Sequence, residues 1–350
     1  MRLEARAAPS RAMALASPLL ALAITVLIGV LLFTLLGKDP VRGLSVFLWE
    51  PIRSRYALTE LGVKATPLVL CALGLVVCFR ANVWNIGAEG QLLAGAMAGG
   101  GVAMLATRDS GAILLPVVLA AGVLGGMAWA AITAWLRDRA NANEILVSLM
   151  LVYVAQLLLL WLVQGPWKDP KGYNFPQTPT FVREVLLPAL VPGSRLHLGA
   201  LIALVAVPCV WLFLFRSFPG YQLQVGGLAP MAARYGGFSS RAALWQALLL
   251  SGGLAGLAGA IEAAGPLRQL TPHVSQGYGF AAIIVAFVGR LHPVGVVFAA
   301  ILMSMFYIGG ELSQSRLGLP SALTGVFQGL LLVALLACDT LVHHRIRWRR

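Results

Sequence analysis

The chain has 350 residues, 59% of them hydrophobic and only 11% charged, with a mean hydropathy of +0.83. A soluble domain carries about a quarter charged residues, so this composition excludes one, and repeated runs of about 20 apolar residues point to a helical protein that crosses a membrane many times. The net charge of +13 fits Lys and Arg gathered in cytoplasmic loops and gives no reason to expect a nucleic-acid partner.

The expected fold class is all-α, a polytopic integral membrane bundle forming one domain over residues 1–350. The runs are continuous and do not alternate with period two, which excludes a spanning β-barrel. Arg2, Arg6 and Arg11 precede an apolar stretch that is too long for a signal peptide, so it reads as a retained first helix. In chain order the pattern predicts about ten spans: 14–36, 59–78, 89–106, 113–136, 145–164, 198–216, 242–264, a short one at 278–290, then 293–312 and 319–338. With the N-terminus inside, Arg80, Arg137, Arg139, Arg216, Arg234, Arg241, Arg290 and the basic tail from His343 to Arg350 all fall on inner connections. This obeys the positive-inside rule and makes both termini cytoplasmic.

Two outer connections are long, at about 37–58 and 165–197. The second is rich in Pro, Gly and aromatics and is a candidate docking face or a passive lid, with Leu186 to Leu190 expected as a short surface helix. Small residues recur at four-residue spacing (Gly95 and Gly99, Gly122 and Gly126, Gly252 and Gly256, with Gly259 nearby), which predicts close helix packing. Cys71, Cys78, Cys209 and Cys338 lie in or beside apolar runs without a CxxC pair, and are expected to be small buried hydrophobes.

Three polar segments interrupt the apolar pattern. Phe79 to Gln91 places Arg80, Asn82, Asn85, Glu89 and Gln91 between two spans, and such groups are costly at membrane depth unless they face protein or a water-filled path. Asn143 and Glu144 stand at the mouth of the fifth span, where Asn suits a helix cap and Glu its N-terminal dipole. In the inner loop at 216–241, Pro230 to Tyr235 is bracketed by glycines and reads as a helix of one or two turns, shaped either to dock into a cytosolic partner or to lie at the interface. Phe79 to Gly87 and Phe287 to Gly295 form a weak internal echo.

Catalytic patterns are missing. The sequence has no GxxxxGK[ST], HExxH or GxSxG, so the chain is not expected to be an enzyme or to hydrolyse ATP. Uphill transport needs a partner or an ion gradient. Glu60, Glu89, Glu144 and Glu262 are the carboxylates a proton-coupled secondary carrier would draw on, Glu262 foremost.

Taken together, the chain resembles the permease subunits of bacterial ABC importers for ribose-type sugars, nucleosides and branched-chain amino acids. Phe79-Arg80 through Asn85-Ile86-Gly87-Ala88-Glu89-Gly90-Gln91 is similar to the family's F-R-x-G-x-x-N-I-G-x-E-G-Q, and Ala232-Ala233-Arg234-Tyr235-Gly236-Gly237 to its A-A-R-Y-A-G coupling helix. Gly277-Tyr278-Gly279-Phe280 through Gly289-Arg290-Leu291-His292-Pro293-Val294-Gly295 is the third match. The complete first motif, the long outer loops and the length lean toward the nucleoside (guanosine-type) branch, with ribose or another simple sugar as the alternative. Asn82, Ala229 and Val152 depart from the pattern, standing where Gly, Asn and Asn are usual.

The resemblance implies that Pro230, Met231, Ala232, Ala233, Arg234, Tyr235, Gly236 and Gly237 couple to an ATPase, and that Asn85, Glu89, Gln91, Asn143 and Glu144 belong to the translocation path. It also implies a cytosolic ABC ATPase with two fused nucleotide-binding halves, a second and different permease, and a substrate-capturing lipoprotein outside. The chain itself would bind no cofactor, ATP and Mg being held by the ATPase. The location would be the bacterial cell inner membrane.

Overall fold

The computed structural model describes residues 2–5, 11–107, 111 and 113–347. The fold is helical. Among the described residues it also holds a two-stranded antiparallel ribbon, in which β1 (Arg2–Ala5) pairs with β2 (His344–Arg347), Arg2 opposite Arg347. The chain divides into two compact units, Met1–Leu61 with Ile301–Arg350, and Gly62–Ala300.

In the first unit, α1 (Arg11–Leu35) lies along α14 (Ala322–His343). The 37–58 stretch, expected as a long loop, is instead largely helical. Asp39 caps α2 (Pro40–Leu44) by accepting the Val41 N–H at 2.9 Å, and Pro40 supplies the fixed φ that suits a first turn. A π-helical turn at Ser45–Trp49 and α3 (Glu50–Arg53) follow. The pull is apolar: Phe47 is fully buried, stacked 4.3 Å from Phe327 and 5.5 Å from Phe306 between ring centroids. Gly29 and Gly43 leave room for the Phe327 and Phe33 rings.

The second unit takes α4 (Arg55–Arg80) from Gly62 onward, α5 (Ala88–Met104), α6 (Leu114–Ala140), α7 (Glu144–Gln164), α8 (Leu198–Arg216), α9 (Phe218–Leu228), α10 (Pro230–Tyr235), α11 (Ser240–Glu262), α12 (Tyr278–Val288) and the start of α13 (Pro293–Leu317). A π-helical turn at Ala263–Leu267 extends α11. Helix α5 is sandwiched between α6 and α11 with the glycines at the crossing. A methyl group on Gly95 would run into Gly256, one on Gly256 into the Gly122 carbonyl, one on Gly126 into the Gly252 carbonyl, and one on Gly259 into the Leu92 carbonyl. The glycine spacing therefore does what the sequence predicts, bringing three backbones into direct contact.

Among the described residues, eight helices are long and apolar enough to cross a membrane. The other two expected spans are shorter. Helix α5 has 17 residues and α12 has 11, the latter reaching only about 16 Å at 1.5 Å per residue. The outward surfaces of α6, α7 and α8 are exposed and apolar (Leu124, Trp135, Leu157, Trp161, Leu204, Leu212), as a lipid-facing surface requires. Cys209 lies on this exposed side of α8, which corrects its expected burial; Cys71, Cys78 and Cys338 are buried. Small thiols cost little on either side of an apolar helix.

The connections sort to two ends of this unit. At one, Arg80 donates to Leu291 O, Arg241 pairs with Asp138 at 2.8 Å and Trp245 Nε1 donates to the same carboxylate at 3.2 Å. At the other, the 165–197 segment is laced onto the end of α11: Leu187 N–H reaches Ala264 O at 3.0 Å, Phe181 N–H reaches Arg268 O at 2.8 Å, and Thr178 N–H reaches Leu270 O at 3.0 Å. Leu186–Leu190 is extended rather than helical. Leu187 donates to a neighbouring segment, Pro188 has no amide to donate, Leu190 N–H bonds Leu196 O at 2.8 Å, and Ala189 bridges to His197. His197 caps α8 through Nδ1 at 3.1 Å from the Gly199 N–H, and burial pushes its pKa down to about 4, so the cap stays neutral.

Gly256→Val places branched carbons against the Gly122 carbonyl and is expected to cost about 1–3 kcal/mol or more, read as a fall in melting temperature of the detergent-purified protein. Gly329→Ala in α14 meets nothing within 4 Å and is expected to leave the melting temperature unchanged or slightly raised. Equal effects from the two substitutions would refute close packing at the crossing.

Candidate functional site

The polar segment that opens α5 turns back into the interior. After Arg80, Asn82 adopts φ +55°, a left-handed conformation that Asn tolerates better than other side chains and that explains why Asn can replace Gly there. Residues 83–87 then climb beside α4 without regular structure. Asn85 reaches Ser251, which packs on Gly74, about 9 Å along α4 from Arg80 at 1.5 Å per residue. Non-helical backbone at such a position needs internal partners for its polar groups.

Asn85 and Ser148 supply two of them, and Cys78 O accepts the Val83 N–H at 2.9 Å. Asn85 is fully buried; its Nδ2 donates to Gln91 Oε1 and Ser251 Oγ, both at 3.0 Å, and its Oδ1 accepts from the Gly87 N–H at 3.0 Å and Gln91 Nε2 at 3.1 Å. The Ile86 N–H donates to Ser148 Oγ at 3.2 Å. Asn85 and Gln91 thus form a closed amide pair. Gly87 and Gly90 admit α7 at close range, with Ser148 and Val152 where side chains would sit. Val152 is fully buried in that packing.

Glu89, only 2% exposed, turns toward another element. One carboxylate oxygen accepts the Gly279 N–H at 2.7 Å, and the Ser275 hydroxyl and Gly277 amide also reach it. These amides belong to the first turn of α12, entered through Gly277 at φ +83°. Gly279 has no room for a side chain against the Glu89 backbone. Lys64 Nζ, donating to Gln276 Oε1 at 2.9 Å, and the buried Tyr278 ring lie on the same approach.

Asn143 and Glu144 sit apart from this group. Asn143 Oδ1 accepts the Ile145 and Leu146 N–H groups at 2.9 and 3.4 Å, and Glu144 pairs with Arg137 at 3.3 Å. They close the α6–α7 turn. From α7 it is Ser148, one turn further on, that reaches the buried junction.

Arg80 is more than a charge at a helix end. Its Nε donates to Leu291 O at 2.7 Å, its Nη1 to Gln224 Oε1 at 2.8 Å, and its guanidinium lies 4.7 Å from the Phe215 ring centroid. Gln224 belongs to α9, next to α10. In α10, Ala233 is buried while Pro230, Met231, Ala232, Arg234 and Tyr235 are exposed, Met231 by 80% and Tyr235 by 98%. Gly236 and Gly237, the latter at φ +79°, end the helix. Phe238 packs edge-on against Phe218 and Tyr221, and a groove of about 460 Å³ opens between α9, α10 and the start of α11.

Ser148, Ser251, Gln224 and the partners of Arg80 do not emerge from the sequence reading. A lone Ser in an apolar helix (Leu250-Ser251-Gly252) is the available signal, but it is a common one.

Residues 57–336 match the model of the branched-chain amino acid transport system permease component family. The glucose ABC transporter permease protein TsgB13 of Haloferax volcanii is 34% identical over 99% of this chain and 93% of its own. The guanosine ABC transporter permease protein NupP of Bacillus subtilis is 30% identical over 90% of this chain and 91% of its own. A solved structure of an inward-facing ABC transporter of the metal-chelate type shares the fold, with a TM-score of 0.51 and 16% identity over 94% of this chain and 99% of that one. The chain therefore belongs to the branched-chain amino acid transport permease family and is the multi-span permease subunit of an ABC transporter, not itself an enzyme.

Proposed function

We propose that this permease forms half of the path of a nucleoside importer in a bacterial cell inner membrane, driven by an ATPase that seats on its cytoplasmic loop. The observation that carries this reading is α10, a six-residue helix presenting Met231 and Tyr235 beside a groove of about 460 Å³. A rigid knob with an aromatic tip suits insertion into a partner's pocket. It is anchored by Ala233 beneath and by Phe238 against α9, so a push on it passes into the bundle. Because the sequence has no phosphate-binding loop, ATP and Mg would be held by the ATPase, and the chain would bind no cofactor of its own. Ala229, where the family favours Asn, leaves α10 without a side-chain cap.

At the opposite end, Phe181, Arg183 and Leu186 to Ala189 border a recess of about 580 Å³ together with Arg268. This is the face offered to an extracytoplasmic substrate-capturing lipoprotein. A second, different permease would supply the other half of the path. A nucleoside is favoured by the guanosine relative. The 34% identity to a glucose permease supports a second reading, in which the solute is a simple sugar.

Arg234→Glu reverses the charge on the docking knob without touching the buried bundle. In the assembled transporter it is expected to lower solute uptake by about tenfold or more, as loss of an interface anchor would, at unchanged membrane abundance. Unaltered uptake would sink the coupling assignment.

Labelled guanosine uptake, compared in cells with and without the gene, is expected to be competed by unlabelled nucleosides and not by ribose, glucose or leucine. Competition by the sugars alone would replace the nucleoside reading with the sugar one. Uptake abolished by a protonophore, yet indifferent to loss of the ATPase, would instead establish a proton-coupled carrier.

A further inference from the structure

Helix α12 is held at both ends by one continuous segment of the chain. At its N-terminus the Glu89 carboxylate accepts the Gly279 N–H at 2.7 Å. Just beyond its C-terminus the Arg80 guanidinium donates to Leu291 O at 2.7 Å. Between these points, Phe79 and Trp84 stack on Phe287 of α12, at 5.1 and 6.3 Å between centroids. The signs match the helix dipole: a carboxylate at the positive N-terminal end and a guanidinium at the negative C-terminal end.

Two further observations set α12 apart as a discrete segment. It has only 11 residues and is set off by left-handed backbone on both sides, at Gly277 (φ +83°) before it and at Arg290 and Leu291 (φ +60° and +50°) after it. Non-glycine residues in that conformation persist where surrounding contacts hold them, and Arg80 bonds the Leu291 carbonyl directly. The same guanidinium also bonds Gln224 of α9, whose Nε2 reaches the Leu214 and Gly220 carbonyls. Gly227, near the end of α9, packs directly on the Arg80 carbonyl. The route from the exposed loop to α12 is therefore short: α10 joins α9 through Ala229 and the Phe238 ring, and Gln224 and Arg80 continue it to Leu291.

We propose that the Arg80–Glu89 segment is a clamp that moves α12 as the gate of this permease, and that Gln224 and Arg80 are the positioning residues linking α10 to it. A push on α10 shifts α9, and Gln224 carries the Arg80 guanidinium with it. The α12–α13 turn then follows, while Glu89 keeps the first turn of α12 tied to α5 and so turns the shift into a tilt. The inference rests on the reading that α10 receives an ATPase.

The test uses the complete transporter in lipid vesicles, measuring uptake, ATP hydrolysis and amide hydrogen exchange on adding nucleotide. In the unsubstituted protein nucleotide is expected to change exchange in both α10 and the first turn of α12. In Gln224→Ala, the α10 response is expected to persist and the α12 response to vanish, with uptake per ATP hydrolysed falling about fivefold or more, the scale of a typical coupling between sites. Arg80→Gln is expected to behave likewise and Arg80→Lys to recover part of the coupling. Arg234→Glu serves as the comparison. If it uncouples while Gln224→Ala and Arg80→Gln transport normally per ATP, the clamp is refuted and the docking reading stands. If α10 does not respond to nucleotide in the unsubstituted protein, the docking reading itself fails. If Arg80→Gln lowers abundance and Gln224→Ala keeps both abundance and the α12 response, Arg80 is only a structural anchor and the inference is overturned.

Discussion

A helix that starts inside an apolar bundle must find partners for its first amides, since neither lipid nor water is there to satisfy them. Among the described residues α5 and α12 start in that way, and much of the polar structure follows from it. For α12 the partners are the Glu89 carboxylate and Ser275 Oγ, which accepts the Tyr278 N–H at 3.1 Å. For the approach to α5 they are Asn85 Oδ1 and Ser148 Oγ. The two starts are tied together, because Glu89 in the first turn of α5 accepts from the first turn of α12.

The glycine crossing is the packing counterpart of this arrangement. A short helix buried nearly all round gains little from lipid contact, so α5 is held by close backbone approach to α6 and α11. That approach also fixes Ser251 of α11 within 3.0 Å of Asn85, while α7 delivers Ser148 from the other side. The amide pair of Asn85 and Gln91 is consequently a closed network with its main hydrogen-bonding capacity spent inside the protein, and such a network specifies one geometry.

What the sequence made legible was the part that rests on local chemistry. Long apolar runs gave the spans, Pro230 and the following glycines gave α10, and Asn143 gave its cap. The polarity of Asn85 to Gln91 marked an unusual place, and the eleven-residue α12 showed as a short span. The 37–58 stretch reads as a loop from local pattern alone, because the burial of Phe47 against Phe306 and Phe327 joins residues far apart in the chain. Leu186–Leu190 was misread because the partners that hold it extended, Ala264 and Leu196, lie outside its local pattern. Arg80 looked like an inside anchor, and only the fold reveals that Gln224, Phe215 and Leu291 meet around it.

The two charges of the Phe79 to Gln91 segment now divide its labour. Arg80 lies half-buried where α9 and the α12–α13 turn converge, and Glu89 lies in the interior where α5 and α12 begin. Neither charge is free to act as a simple recognition group, since Arg80 is occupied by a carbonyl and an amide and Glu89 by backbone amides. The polar atoms of this segment are spent on holding backbone in place, and that fixes where α5 and α12 begin.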